Sequence, residues 1–459
     1  MARAQGFCGG RLLAAGLLLG TVAPGVLAQT PPAQTAAKTN GTAEGVTALN
    51  GSASVFTAVT HTRTSAAGGT ESNTEPSIGV SGDIGGSWQR GASRLDLRYG
   101  GSLETTRDRP TGGQTDNSSV TGLSRFNYLD PANPVDFNLG HSIESVRNST
   151  GFVINPSSYD TRQTVTGGAG LRLRPGDLTT LRLSAQAGHS YGGGAVNAGD
   201  SVTASAELAR RLDERSTGSL VASRSWSNED QLDITIDSAQ LIYDRLLDAG
   251  RFRIGAGVSQ ADTQYPNASD TTSDAVTGFA ERSWTGDGFQ TSVSFNRRLS
   301  DSVTDISLNL PPIFDFLPDS VRVRDLVISD SILITHNNDN LCDICNVGFG
   351  LEGAILKSQL TDTTTHEYTA SANLGLQITD LQRLEFAYSW QADAGESAGD
   401  MVQQIHRLDS RWVRQLAEYT RFAVEFNQSY LDTTLPVPNE RQYVLRLVLT
   451  HGFSLMANR

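Results

Sequence analysis

Lysine is nearly missing from this sequence. Lys38 and Lys357 are the two present, so arginine carries almost all of the positive side in a balance of 36 basic to 49 acidic residues. A formal net charge of −13 argues against electrostatic capture of nucleic acid, whose phosphates need a basic surface. Long apolar runs are missing too: nothing reaches the ~20 residues a membrane-spanning helix needs. Cysteine is limited to Cys8, Cys342 and Cys345, too few for a disulfide framework. The seven histidines are scattered, with no i, i+4 pair and no His-Glu-x-x-His run, so the zinc-hydrolase signature is absent.

What is present begins with a secretion signal. Arg3 and Arg11 precede an apolar core from Leu12 to Leu19, followed by Pro24, Gly25 and the small-residue site Val26-Leu27-Ala28. We expect cleavage after Ala28. The apolar core is too short, and too broken by Gly20, Pro24 and Gly25, to serve as an anchor. Cys8 lies ahead of it, which excludes a lipoprotein site. From Gln29 to about Asn50 the chain is Thr, Ala, Gln, Pro and Gly, too poor in apolar side chains to order itself, and is expected to be a disordered periplasmic tail. The expected division is therefore signal 1–28, tail 29–50 and barrel 51–459.

After the tail the side chains alternate with a period of two, the mark of an extended strand with unlike faces. Leu95, Leu97, Tyr99 and Leu103 oppose Arg94, Asp96, Arg98 and Glu104. Tyr368, Ala370, Ala372, Leu374, Leu376 and Ile378 interleave with Thr369, Ser371, Asn373, Gly375, Gln377 and Thr379. In the last such segment, Tyr443, Leu445, Leu447, Leu449 and Phe453 point one way and Arg446, Thr450 and Gly452 the other. Runs of about ten residues suffice to cross a bilayer as tilted strands. Three segments, Leu232 to Leu247, Asp274 to Trp284 and Gln403 to Leu416, alternate imperfectly.

Short turns such as Gln89-Arg90-Gly91, Asp130 to Pro134 and Asp248-Ala249-Gly250 alternate with longer polar stretches such as Ser65 to Thr74, Arg107 to Ser118 and Asn148 to Asp160. Outer-membrane barrels combine short periplasmic turns with long outer loops. Hydrocarbon offers no partner to backbone N–H and C=O groups, so a sheet in lipid has to close on itself. The expected fold is all-β: a transmembrane antiparallel up-and-down β-barrel of about twenty strands, within a range of roughly sixteen to twenty-two.

The inward face is expected to be mixed in charge. The lumen-facing candidates are Arg94, Arg98, Arg172, Arg182 and Arg253 with Asp96, Glu104 and Glu385, joined by Arg298, Asp136, Glu207, Glu352 and Glu425. Charges of both signs suit a solvated wall held by ion pairs better than a selective ion path. Cys342 and Cys345 should form a disulfide pinning a periplasmic turn, because neither a redox helix nor two further metal ligands accompany them. Leu308 to Asp319 is the one apolar irregular stretch, and Phe314 and Phe316 are its candidate constriction residues. Serine is so abundant that a Ser-His-Asp set by residue type alone carries no weight. No cofactor or metal is implied.

The signal peptide, the Arg-capped alternating strands such as Arg94 to Leu103, the hairpins with tight turns and the closing Arg441 to Phe453 segment resemble a family. It is that of the outer-membrane, porin-like barrels found with exosortase and exopolysaccharide gene clusters of Gram-negative bacteria. The resemblance covers Ser52 to Phe453 and implies a channel or scaffold in the bacterial outer membrane, engaged in export of surface polysaccharide. It implies outer-membrane lipid, the barrel assembly machinery and polysaccharide export components as partners, and no catalytic residues. One departure is that Leu455 to Arg459 follow Phe453, where many barrels end on the aromatic residue itself. Two alternatives remain open: a barrel enzyme of lipase or protease type, which would gather histidine at the outer rim, and a secreted adhesin-like β-protein without a lumen.

Overall fold

The computed structural model describes residues 49–456 apart from 67–68, 108–113, 148–158, 193–197, 230–231, 265–269, 302–303, 306–319, 324–325, 343, 360–361, 396–400 and 435–438. The expected signal with its cut after Ala28, the tail up to residue 48, and Phe314 and Phe316 lie outside the described residues.

Twenty long strands make the fold: β1 (Leu49–Ala66), β2 (Gly69–Arg90), β3 (Ser93–Arg107), β4 (Gln114–Leu129), β5 (Val135–Arg147), β6 (Tyr159–Gly176), β7 (Thr179–Gly192), β8 (Gly199–Arg211), β9 (Ser216–Glu229) and β10 (Leu232–Leu247) form the first half. The second half is β11 (Gly250–Gln264), β12 (Thr271–Gly286), β13 (Phe289–Asp301), β14 (Leu326–Cys342), β15 (Cys345–Ser358), β16 (Thr364–Thr379), β17 (Gln382–Ala394), β18 (Met401–Ala417), β19 (Thr420–Thr433) and β20 (Asn439–Met456). Each pairs antiparallel with its neighbours in sequence, and β1 pairs with β20 from Leu49↔Met456 to Ser65↔Asn439, closing the barrel. The three imperfectly alternating segments are β10, β12 and β18. β1 starts at Leu49, two residues inside the stretch assigned to the tail.

Alternation sorts the faces as lipid demands. On β20, Leu445, Leu447, Leu449 and Phe453 are exposed on the outer surface, while Val448 and Thr450 between them are buried. Ile78, Leu241 and Val276 are exposed by 66, 66 and 67%, and all belong to the outer side of their strands. No large apolar interior gathers these residues. The described apolar clusters on the inner face are small: Phe56, Ala423 and Val448 form one, Ala261, Ala275, Leu299 and Leu326 the other.

Short turns occupy one rim, together with Leu49 and Met456, the two ends of the described barrel. Gly91, Gly250 and Gly288 take positive φ there (55°, 121° and 75°), a backbone state that glycine adopts without a Cβ penalty. Side chains complete other turns. Asp130 accepts from the Ala132 N–H at 2.9 Å, and Asp213 accepts from the Arg215 N–H at 2.7 Å and from the Ser216 hydroxyl. These bonds, that of Ser216 foremost, hold the Asp213 carboxyl below its ordinary range. On the other rim one expectation needs correcting: Ser65 to Thr74 is not a long loop but the tip of a hairpin in which β1 and β2 stay paired up to Ala66↔Gly69. Polar strands can pair above the membrane with no greasy face to announce them.

One feature departs from a plain cylinder. β12 pairs with β13 only from Gly278↔Arg297 to Gly286↔Phe289, so Thr271 to Thr277 have no sheet partner on that side among the described residues. Beyond Arg297, β13 touches β10 and β11, which are not its neighbours. Leu299 and Leu326 share the outer parity of Phe295 and Ile332, yet they are 6 and 2% exposed and pack on Ala261 and Ala275 of the inner wall. The outer ends of β13 and β14 therefore lean into the lumen. From the segment that joins them, Ser320 and Val321 pair in parallel with Val146 and Arg147, at the end of β5 on the far wall.

Candidate functional site

A closed sheet with a greasy outside gathers most of its charged side chains on the inner wall. All eight candidate charges occupy inward positions of their strands, and they are tied down chiefly by carboxylate neighbours. Arg94 grips Asp96 in a fork, Nε to Oδ2 at 2.7 Å and Nη2 to Oδ1 at 3.0 Å. Arg172 and Arg182 converge on Asp136 at 3.4 and 3.6 Å. Arg253 lies between Asp244 at 3.4 Å and Glu281 at 3.7 Å, and Arg251 also holds Asp244. Glu385 receives Arg383 at 3.0 Å and Arg411 at 3.9 Å. Arg98 pairs in register with Gly85 and Leu123, and Glu104 with Gly79 and Asn117. The inner wall is thus crossed by short rows of alternating charge.

The densest row runs over β17 to β20. Arg383, Glu385, Arg411 and Glu425 follow one another, and Arg411 Nε stands 3.2 Å from the Glu425 carboxylate, off the axis of a linear hydrogen bond. Next to them Arg407, Asp409, Asn427 and Gln442 are all buried. Asp409 faces Asn427 directly across the strands. Asp409 Oδ1, both amide atoms of Asn427 and Gln442 Oε1 have no protein hydrogen-bond partner among the described residues. Burying such atoms unbonded costs about 1–3 kcal/mol each, so this stretch of the wall is polar at a cost in stability. Arg407, Asp409, Asn427 and Gln442 were missed as candidates. The signal was there, because Arg407, Asp409 and Arg411 alternate with Leu408, Ser410 and Trp412.

Cys342 and Cys345 are joined in the structure, S–S 2.01 Å, at the short-turn rim between β14 and β15. The seven histidines take outward positions on seven strands, most bonded to another strand: His406 to Tyr388 at 2.9 Å, His336 to Thr291 at 2.8 Å and His189 to Asp200 at 2.7 Å on the adjacent one, and His141 to Tyr99 at 2.8 Å across β4. Among the described residues no three His, Cys, Asp or Glu side chains group as metal ligands.

No protein-family model and no curated protein sequence matches the chain. Several solved structures are similar in shape. A mutant of the ferric enterobactin receptor PfeA of Pseudomonas aeruginosa is 12% identical, with 88% of this chain and 80% of that one covered at a TM-score of 0.48. The ferric-catecholate import receptor Fiu of Escherichia coli gives 9%, 89%, 81% and 0.48. OpdQ of Pseudomonas aeruginosa gives 10%, 89%, 98% and 0.39. At such identities and TM-scores the likeness decides nothing about activity, which has to be argued from the residues of this chain.

Proposed function

We propose that this barrel is a channel of the bacterial outer membrane. The observation that carries the reading is the inner wall of ion pairs and amides inside a sheet that is closed from β1 to β20 and greasy outside. Such a wall keeps water in the lumen, and a wet lumen conducts. The purified protein in a planar bilayer should show discrete conductance steps. Silence there would leave the scaffold and sink the channel. Location is tested separately, by membrane fractionation and by finding Gln29 at the mature N-terminus.

The finer reading, export of surface polysaccharide with export components as partners, rests on the family resemblance and on wall chemistry. Arginine, carboxylate, amide and hydroxyl groups side by side offer a polyhydroxylated chain both donors and acceptors. Added polysaccharide should then block the conductance, and deleting the gene should strip polysaccharide from the surface. Catalysis is not part of this reading, which rests on the lumen, and the seven histidines face away from it.

A further inference from the structure

A groove of about 980 Å³ runs round the outside of the wall from β7 to β12. Five strand spacings of about 4.8 Å make it roughly 24 Å long, enough for one extended acyl chain. Its inner border is apolar and shallow because the side chains are small: Ala206, Ala222, Ala239, Val258 and Val276 stand where other strands carry Leu or Phe. Its other border is polar, with Arg224, Asp237, Gln260 and Asp274 in register across four strands. Arg224 lies 3.7 Å from Asp237, and Trp226 follows just beyond, on the same outer side. The polar border thus sits at the edge of the apolar belt, where head groups begin.

The groove ends at the gap between β12 and β13. Arg297 Nε donates to the Val276 carbonyl at 3.1 Å and so marks the side of β12 that faces the gap. Strand alternation turns the backbone N–H and C=O groups of Asp274 and Thr272 the same way. They have no sheet partner there among the described residues. Free backbone donors and acceptors, an Arg297–Asp330 ion pair at the gap (2.9 Å) and both signs of charge along the border suit a zwitterionic head better than a purely anionic one.

We propose that the groove binds a single-chain amphiphile with a zwitterionic head, its tail along the alanine row and its head at Asp274 and the open edge of β12. The site faces the bilayer, not the lumen, and its test does not depend on conductance. In a variant whose other tryptophans are replaced by phenylalanine, held in maltoside micelles, Trp226 reports on the groove. Titration with a phosphocholine detergent carrying a brominated chain should quench Trp226 along a saturating curve. Ala239→Phe, which fills the groove, should shift the midpoint by about tenfold or more, and Asp274→Lys, which leaves the groove open, should weaken it too. Quenching that rises without saturation, or that is the same in folded Asp274→Lys and the parent, overturns the proposal.

Discussion

Glu425 shows how much one inward residue can matter. It is 5% exposed and lies against Arg411, so removing its carboxylate leaves that guanidinium only its longer contact with Glu385 at 3.9 Å. Glu425→Ala should cost about 1–3 kcal/mol in urea unfolding from lipid vesicles. Arg94→Ala should cost about 0–1 kcal/mol by the same measurement, because its side chain is 60% exposed and well solvated. Asp213 adds a pH dependence. Its folded pKa is depressed, so its contribution is present above the ordinary carboxyl value of about 4 and is lost as pH falls through the lower folded value. Ser216→Ala should therefore destabilise at neutral pH, and the difference from the parent should fade in acid. Cys342 and Cys345 should take up alkylating reagent only after reduction, read by mass spectrometry. These partnerships were half legible in the sequence. Inward parity showed which charges share a face, but strand register decides that Arg172 and Arg182 both meet Asp136.

At the scale of a strand, the faces should respond oppositely to charge. Leu351 on β15 points outward, 48% exposed, and Leu351→Arg should cost about 2–4 kcal/mol where the lipid is deepest. Asn373 on β16 points inward and is exposed to the lumen, so Asn373→Arg should leave urea stability within about 0.5 kcal/mol of the parent. Periodicity told the two apart, because lipid on one side and water on the other write a pattern into every crossing. It could not show the lean of β13 and β14. Leu299 and Leu326 keep the outward parity of their strands, and only contact with Ala261 and Ala275 turns them inside. Nor could it find strand ends above the membrane, such as Glu71 to Thr74, where both faces are wet and no pattern is needed.

For the molecule as a whole, closure is the property to test. A sealed barrel should migrate faster on a detergent gel before boiling than after it. An adhesin-like sheet without closure should show a single position, and that result would remove the membrane reading altogether. Strand number was readable only as a range, because β10, β12 and β18 carry outward polar residues such as Asp237, Arg282 and His406 that blur their period. The seam between β1 and β20 has a further implication for how the protein is made. A ribosome delivers β1 long before β20, so every intermediate that still lacks β20 carries two raw margins. Insertion has to wait for the whole chain, which must be kept from sticking to its neighbours until its two ends meet.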